Sequence, residues 1–157
     1  MAAEYLRDQG LESLFFVGRS DIPASAERLD GARQTGAPVQ FIEASGLNFT
    51  GGQQAAAQFP VPTRGTRFGI IAANDWLAVG LHVGLTARGI PPRRFQIISF
   101  DGLEIAAQPS FGIVSLAAPL PEIAQDTIAE LRRLARSPAP PGRVLRYAFE
   151  WRDGSPQ

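Results

Sequence analysis

The residues best suited to chemistry gather where the chain leaves short apolar runs. Asn74 and Asp75 close the run Phe68-Gly69-Ile70-Ile71-Ala72-Ala73, and Asp101 closes Phe95-Gln96-Ile97-Ile98-Ser99-Phe100. Arg28 lies in the segment after Leu14-Phe15-Phe16-Val17, and Phe49 lies in the loop after Val39–Ile42. A guanidinium fork, an amide and a carboxylate can hydrogen-bond vicinal hydroxyls, while an aromatic face covers the apolar side of a sugar ring. Each residue also has a plainer reading. Asn74 caps a helix, Arg28 is a solvated helix arginine, Asp101 is a turn residue and Phe49 is core. Their joint placement at one sheet edge is what points to a ligand.

Catalytic patterns are missing. His82, the single histidine, falls inside a helical run, and no Gly-x-Ser-x-Gly elbow offers it a nucleophile. It reads as a helix or interface histidine. With one His, no Cys and no clustered acidic pairs, metal-ligand spacing is absent. Every basic residue is Arg, so no phosphate loop with its lysine can form, and no Gly-x-Gly-x-x-Gly follows a strand. The expectation is a chain that is not an enzyme, with no metal and no cofactor.

The apolar runs at 14–17 and 68–73 have no polar interruption, as strands buried on both faces do, while 39–42 and 95–100 read as further strands and 113–116 as a short extended piece. Between them lie helical stretches at 2–9, 24–34, about 50–58 and 76–87. Thr50 is placed to cap the third, Asn74-Asp75 opens the fourth, and Gly89-Ile90-Pro91-Pro92 stops it. Gly80-x-x-x-Gly84 suggests close helix–sheet packing. Alternating strands and helices predict a three-layer α/β/α parallel sheet. The polar corners then fall at its carboxyl edge, where open α/β sheets bind ligands. Pro60, Pro62 and Gly65 make a connection, and 103–112 reads as a loop. Residues 122–136 predict an amphipathic helix with Ile123, Ile128, Leu131 and Leu134 mostly on one side. A Pro-rich linker, Ser137 to Gly142, leads to a last strand over Val144–Trp151.

A length of 157 residues suits one domain with a real core. A formal net charge of zero gives no global field for nucleic acid. The first residues carry acids and no apolar h-region, and no run is long enough to span a bilayer. These features read as a soluble cytoplasmic protein.

Several of these segments resemble LacI/GalR-type transcriptional regulators. Ala73-Asn74-Asp75-Trp76-Leu77-Ala78-Val79-Gly80 is similar to the family's Ala-Asn-Asp-x-x-Ala-x-Gly segment. Ala3-Glu4-Tyr5-Leu6 before Gly10, then a strand, then Arg28-Leu29-Asp30-Gly31, resembles its helix, strand and Arg-x-x-Gly helix. Gly89-Ile90-Pro91 with Ile97-Ile98-Ser99-Phe100-Asp101, Pro109 with Val114-Ser115-Leu116, and Arg152 with Ser155 follow in the family's order.

The resemblance implies a periplasmic-binding-protein-like fold of type I, here the C-terminal subdomain (residues 1–116), a crossover and helix of the N-terminal subdomain (117–142), and a returning strand and tail (143–157). It implies a small-molecule effector of sugar type, met by Arg28, Asn74 and Asp101 with Phe49 as an aromatic wall. It further implies a homodimer, paired partly through the helix 75–88 and the loop 103–111, and DNA contact only through a headpiece that this chain lacks. Departures are Gly102 where a second acid or amide is common, Leu11 where His is frequent, and a closing Arg152-Asp153-Gly154-Ser155 one residue longer. The alternative function is a solute-binding protein of a sugar transporter.

Overall fold

The computed structural model describes residues 1–11, 13–60, 66–136 and 144–152. Pro62, Gly65, the 137–142 linker and the closing residues after Arg152 lie outside them. The elements run α1 (Ala2–Asp8), β1 (Ser13–Gly18), α2 (Pro23–Arg33), β2 (Val39–Glu43), α3 (Phe49–Ala55), β3 (Phe68–Ala72), α4 (Asp75–Ala87), β4 (Phe95–Phe100), β5 (Val114–Ala117), α5 (Leu120–Arg136) and β6 (Glu150–Arg152). The six strands form one sheet in the order β2-β1-β3-β4-β5-β6. Every pair is parallel except β5–β6, which is antiparallel. The expected parallel sheet thus carries one antiparallel edge strand. It is shorter than the 144–151 expected, since ladder pairing begins only at Glu150.

The two faces follow from strand alternation. Phe68 joins Phe15, Phe59 and Phe95 in ring contacts 4.9 to 6.2 Å apart on the α3/α4 face. A side chain at Gly69 would instead meet Leu6 and Leu14, which places α1 on the opposite face. Helix α2 buries Ser25, Leu29 and Ala32, a stripe at helical spacing. Leu14, Phe16, Ile70, Ile71, Ile97 and Ile98 are fully buried, each stabilising by roughly 1.5–3 kcal/mol.

Two sequence expectations need correction. Asn48, not Thr50, caps α3, accepting from Gly51 N at 2.8 Å, so the helix begins at Phe49. Gly80 and Gly84 serve helix–helix rather than helix–sheet packing. A Cβ at Gly80 would fall inside the Phe49 carbonyl oxygen, and one at Gly84 would strike Ala56. Backbones approach this closely only where no side chain intervenes.

Helix α5 stands apart. None of its residues is buried, and Leu120, Ile128, Leu131 and Leu134 are exposed. The Tyr147 hydroxyl donates to Asp126 at 2.7 Å, tying α5 to the strand-like return. No described helix is long and apolar enough to cross a membrane.

His82 is buried on α4, edge-on to Phe95 and Phe111 at 5.5 and 5.2 Å, with no hydrogen-bond partner for Nε2 among the described residues. Burial lowers its pKa below the ordinary 6.5. The unfolded chain therefore binds this proton more readily, and stability falls as pH drops below about 6.5 toward the folded value. In melting-temperature scans, His82→Gln should flatten this loss between pH of about 6.5 and 5.5; a loss as steep as in the wild type would contradict the assignment. Gly80→Ala should cost about 3 kcal/mol or more in denaturant unfolding, and a loss under about 1 kcal/mol would show that α3 can retreat.

Candidate functional site

A strand order of 2-1-3-4-5 reverses direction between β1 and β3, and doubly wound sheets bind ligands outside the carboxyl ends at that reversal. Beside this position, against the ends of β3 and β4, stands Arg28. Its neighbours Leu29 and Ala32 are buried, which holds Arg28 at the margin of α2. Nη1 donates to the Ala73 carbonyl at 2.6 Å, at the end of β3. The guanidinium lies 4.3 Å over the Phe100 ring at the end of β4, a cation–π contact. Nη2 stands 4.0 Å from Asp101 Oδ1. Burial pulls the Arg28 pKa down, opposed by Asp101, Asp75 and Glu27. Burial pushes the Asp101 carboxyl up, with Arg28 opposing and Asp75 adding to the rise. Both side chains keep an open face, 25% and 42% exposed, so a ligand can reach them.

Asn74 is engaged at both ends of its amide. Oδ1 accepts from Leu77 N at 2.9 Å, capping α4, and Nδ2 donates to the Leu47 carbonyl at 3.0 Å. One amide hydrogen remains for a ligand. The Leu47 bond also ties the segment carrying Phe49 to the end of β3. Phe49 itself opens α3, half-buried against the core, with its backbone against Gly80. The fold therefore pairs Arg28 with Asp101 directly, sets Asn74 next in the chain to the Ala73 carbonyl that holds Arg28, and attaches Phe49 through the Leu47 bond. A small apolar pocket of about 220 Å³ is lined by Arg28, Ile71, Phe100, Leu116 and Phe149 among others. A wider groove of about 530 Å³ lies at the opposite edge, between Glu4, Arg7, Leu11 and Pro38, where the strands begin.

The residue that sequence reasoning undervalued is Asp75. It reads as a helix starter, yet it is fully buried. Oδ1 accepts from the Ser99 and Ser115 hydroxyls, the latter at 2.7 Å, and Oδ2 accepts from Leu103 N at 2.6 Å. The two serines are register partners on β4 and β5. The available signal was those hydroxyls inside apolar strands, since buried polar groups require partners. No group of three His, Cys, Asp or Glu able to hold a metal occurs among the described residues.

These polar residues gather at the carboxyl edge of a doubly wound α/β sheet. The chain belongs to the periplasmic binding protein-like domain family, whose model matches residues 3–155. Several of the solved structures it resembles are LacI-family regulators. One from Enterococcus faecalis with bound ribose is 28% identical, with a TM-score of 0.79 over 99% of this chain and 59% of that one. One from an Arthrobacter species is 25% identical, with a TM-score of 0.72 over 99% and 62%. The dimeric Lac repressor with an 11-residue C-terminal deletion is 18% identical, a likeness of fold, with a TM-score of 0.77 over 96% and 58%. The chain thus spans about 60% of the regulators it matches. No protein of curated function matches it.

Asp101 is the described non-glycine residue with positive φ, at 107°, a region costing about 1–3 kcal/mol. Asp101→Gly should raise stability by about 1 kcal/mol in denaturant unfolding despite the lost Arg28 contact. A decrease would mean the Arg28 pair outweighs the strain.

Proposed function

We propose that this chain is the effector-binding part of a LacI-type transcriptional regulator and that its effector is a sugar. The observation that carries this reading is Arg28, held by the Ala73 carbonyl and the Phe100 ring with its remaining donors beside Asp101. A guanidinium and a carboxylate at this spacing offer donors and acceptors to adjacent hydroxyls, and Phe100 keeps the fork from turning away. Asn74's remaining amide hydrogen and the Phe49 ring stand at the margin. A 28%-identical neighbour is a LacI-family regulator with bound ribose, which supports both the class and the ligand chemistry.

In this reading residues 1–116 form the C-terminal subdomain, 117–142 reach into the N-terminal one and 143–157 return. The exposed apolar side of α5 suits that arrangement. The effector biases the closure of two subdomains, and a homodimer passes the change to a DNA-binding headpiece. Dimer pairing uses the outer edge of α4, where Trp76, Thr86 and Ala87 are exposed, and the 103–111 loop. The protein acts without a cofactor, by binding rather than catalysis, in the cytoplasm. The solved neighbours are regulators, which favours this reading over a transporter's solute-binding protein.

Two-dimensional amide NMR with D-ribose and a panel of pentoses and hexoses tests the proposal. We expect the amides flanking Arg28, Ala73 and Asp101 to shift for one class of sugar. Arg28→Ala should weaken that sugar roughly 10- to 100-fold, the loss of charge-assisted hydrogen bonds. A spectrum that no sugar moves would argue against a sugar effector.

A further inference from the structure

The turn after β4 is held from inside the fold. Asp101 occupies positive φ, and a non-glycine residue stays there only where its surroundings over-determine it. Three successive amides supply that restraint. Asp101 N donates to the Leu116 carbonyl at 3.1 Å, Gly102 N to Ser115 Oγ at 2.9 Å and Leu103 N to Asp75 Oδ2 at 2.6 Å. The proton arrangement is fixed by valence. Ser115 has one hydroxyl hydrogen, given to Asp75 Oδ1 at 2.7 Å, so its oxygen is left to accept from Gly102. Ser99 gives its hydrogen to the same carboxylate oxygen. One buried carboxylate thereby directs two consecutive turn amides, one directly and one through Ser115. Being fully buried, Asp75 does not itself meet a ligand.

We infer that Asp75 is a positioning residue of the candidate site, fixing the 101–103 turn so that the Asp101 carboxylate faces the Arg28 guanidinium. Its role in binding rests on the sugar-site reading above; its role in geometry does not. Asn at this position keeps the shape but replaces one acceptor oxygen with a donor, so either the Leu103 amide loses its acceptor or both serine hydroxyls lose theirs. Ser99→Ala removes a donor to Asp75 without touching either turn amide, which makes it the control.

The test measures, in the full chain, the three-bond amide–Hα coupling of Asp101, which reports φ, together with D-ribose affinity by amide NMR titration. In Asp75→Asn and Ser115→Ala the Asp101 coupling should move from the small value of positive φ toward that of extended backbone. D-ribose binding should weaken by about tenfold. Ser99→Ala should leave the coupling in place even though it lowers the melting temperature. A purely structural carboxylate would lower the melting temperature in all three variants while the coupling stays put, and that result would overturn the inference. Should Asp75→Asn fail to fold, Ser115→Ala decides: it deletes the acceptor of Gly102 together with one donor to Asp75, and Ser99→Ala, which deletes only such a donor, accounts for the second loss. A wild-type chain that ignores D-ribose while the coupling still moves would retain Asp75 as the turn's positioner and count against ribose as the effector.

Discussion

A carboxylate removed from water must be met by donors, and meeting the one at Asp75 organises this fold. An unmet buried charge would cost several kcal/mol. Asp75 has three donors instead, from β4, β5 and the turn that follows β4. It is also the first residue of α4, where the amino end of the helix favours negative charge. The start of α4 and the ends of two strands are therefore locked together by one group. Loss of either serine would leave the carboxylate short of a partner, and loss of the carboxylate would leave a turn amide and two hydroxyls without theirs.

The rest of the site inherits its geometry from that lock and from packing on both sides of the sheet. On one face the Phe15, Phe59, Phe68 and Phe95 rings fill the space beneath α3 and α4. The two helices come close enough for Gly80 to meet the Phe49 backbone. Asn74 links this layer to the carboxyl edge through Leu47. On the other face α2 buries Ser25, Leu29 and Ala32 and thereby delivers Arg28 to the end of β3. By contrast, α5 buries none of its residues. The core and candidate site depend on residues up to Ala117 far more than on the last helix.

Strands and helices were legible because the runs are mostly apolar and their ends carry strong signals, such as Asn74 opening α4 and Gly89-Ile90-Pro91 closing it. Asp101 was legible as the corner residue of such a run and Arg28 as a residue of the helix after the first one, and the fold brings them together. Three features were hidden for physical reasons. Asn48 and Thr50 are both good caps two residues apart, and only the approach of Gly51 N selects Asn48. The Gly80 and Gly84 pair marks a close approach without saying whether a sheet or a helix approaches. The partners of Asp75 come from residues 24 and 40 positions away, a convergence created by strand pairing. The antiparallel edge was likewise unreadable, since β6 shows its direction only in its pairing with β5.

The most direct measurement of the central claim is native-state hydrogen exchange at the Gly102 and Leu103 amides. Both lie in a turn at the edge of the sheet, where an amide without a fixed acceptor exchanges rapidly. With Ser115 and Asp75 accepting from them, they should exchange only on opening of the β4–β5 core, at rates close to those of Ile98 and Leu116. Exchange at the rate of an open loop would show that the carboxylate does not hold the turn.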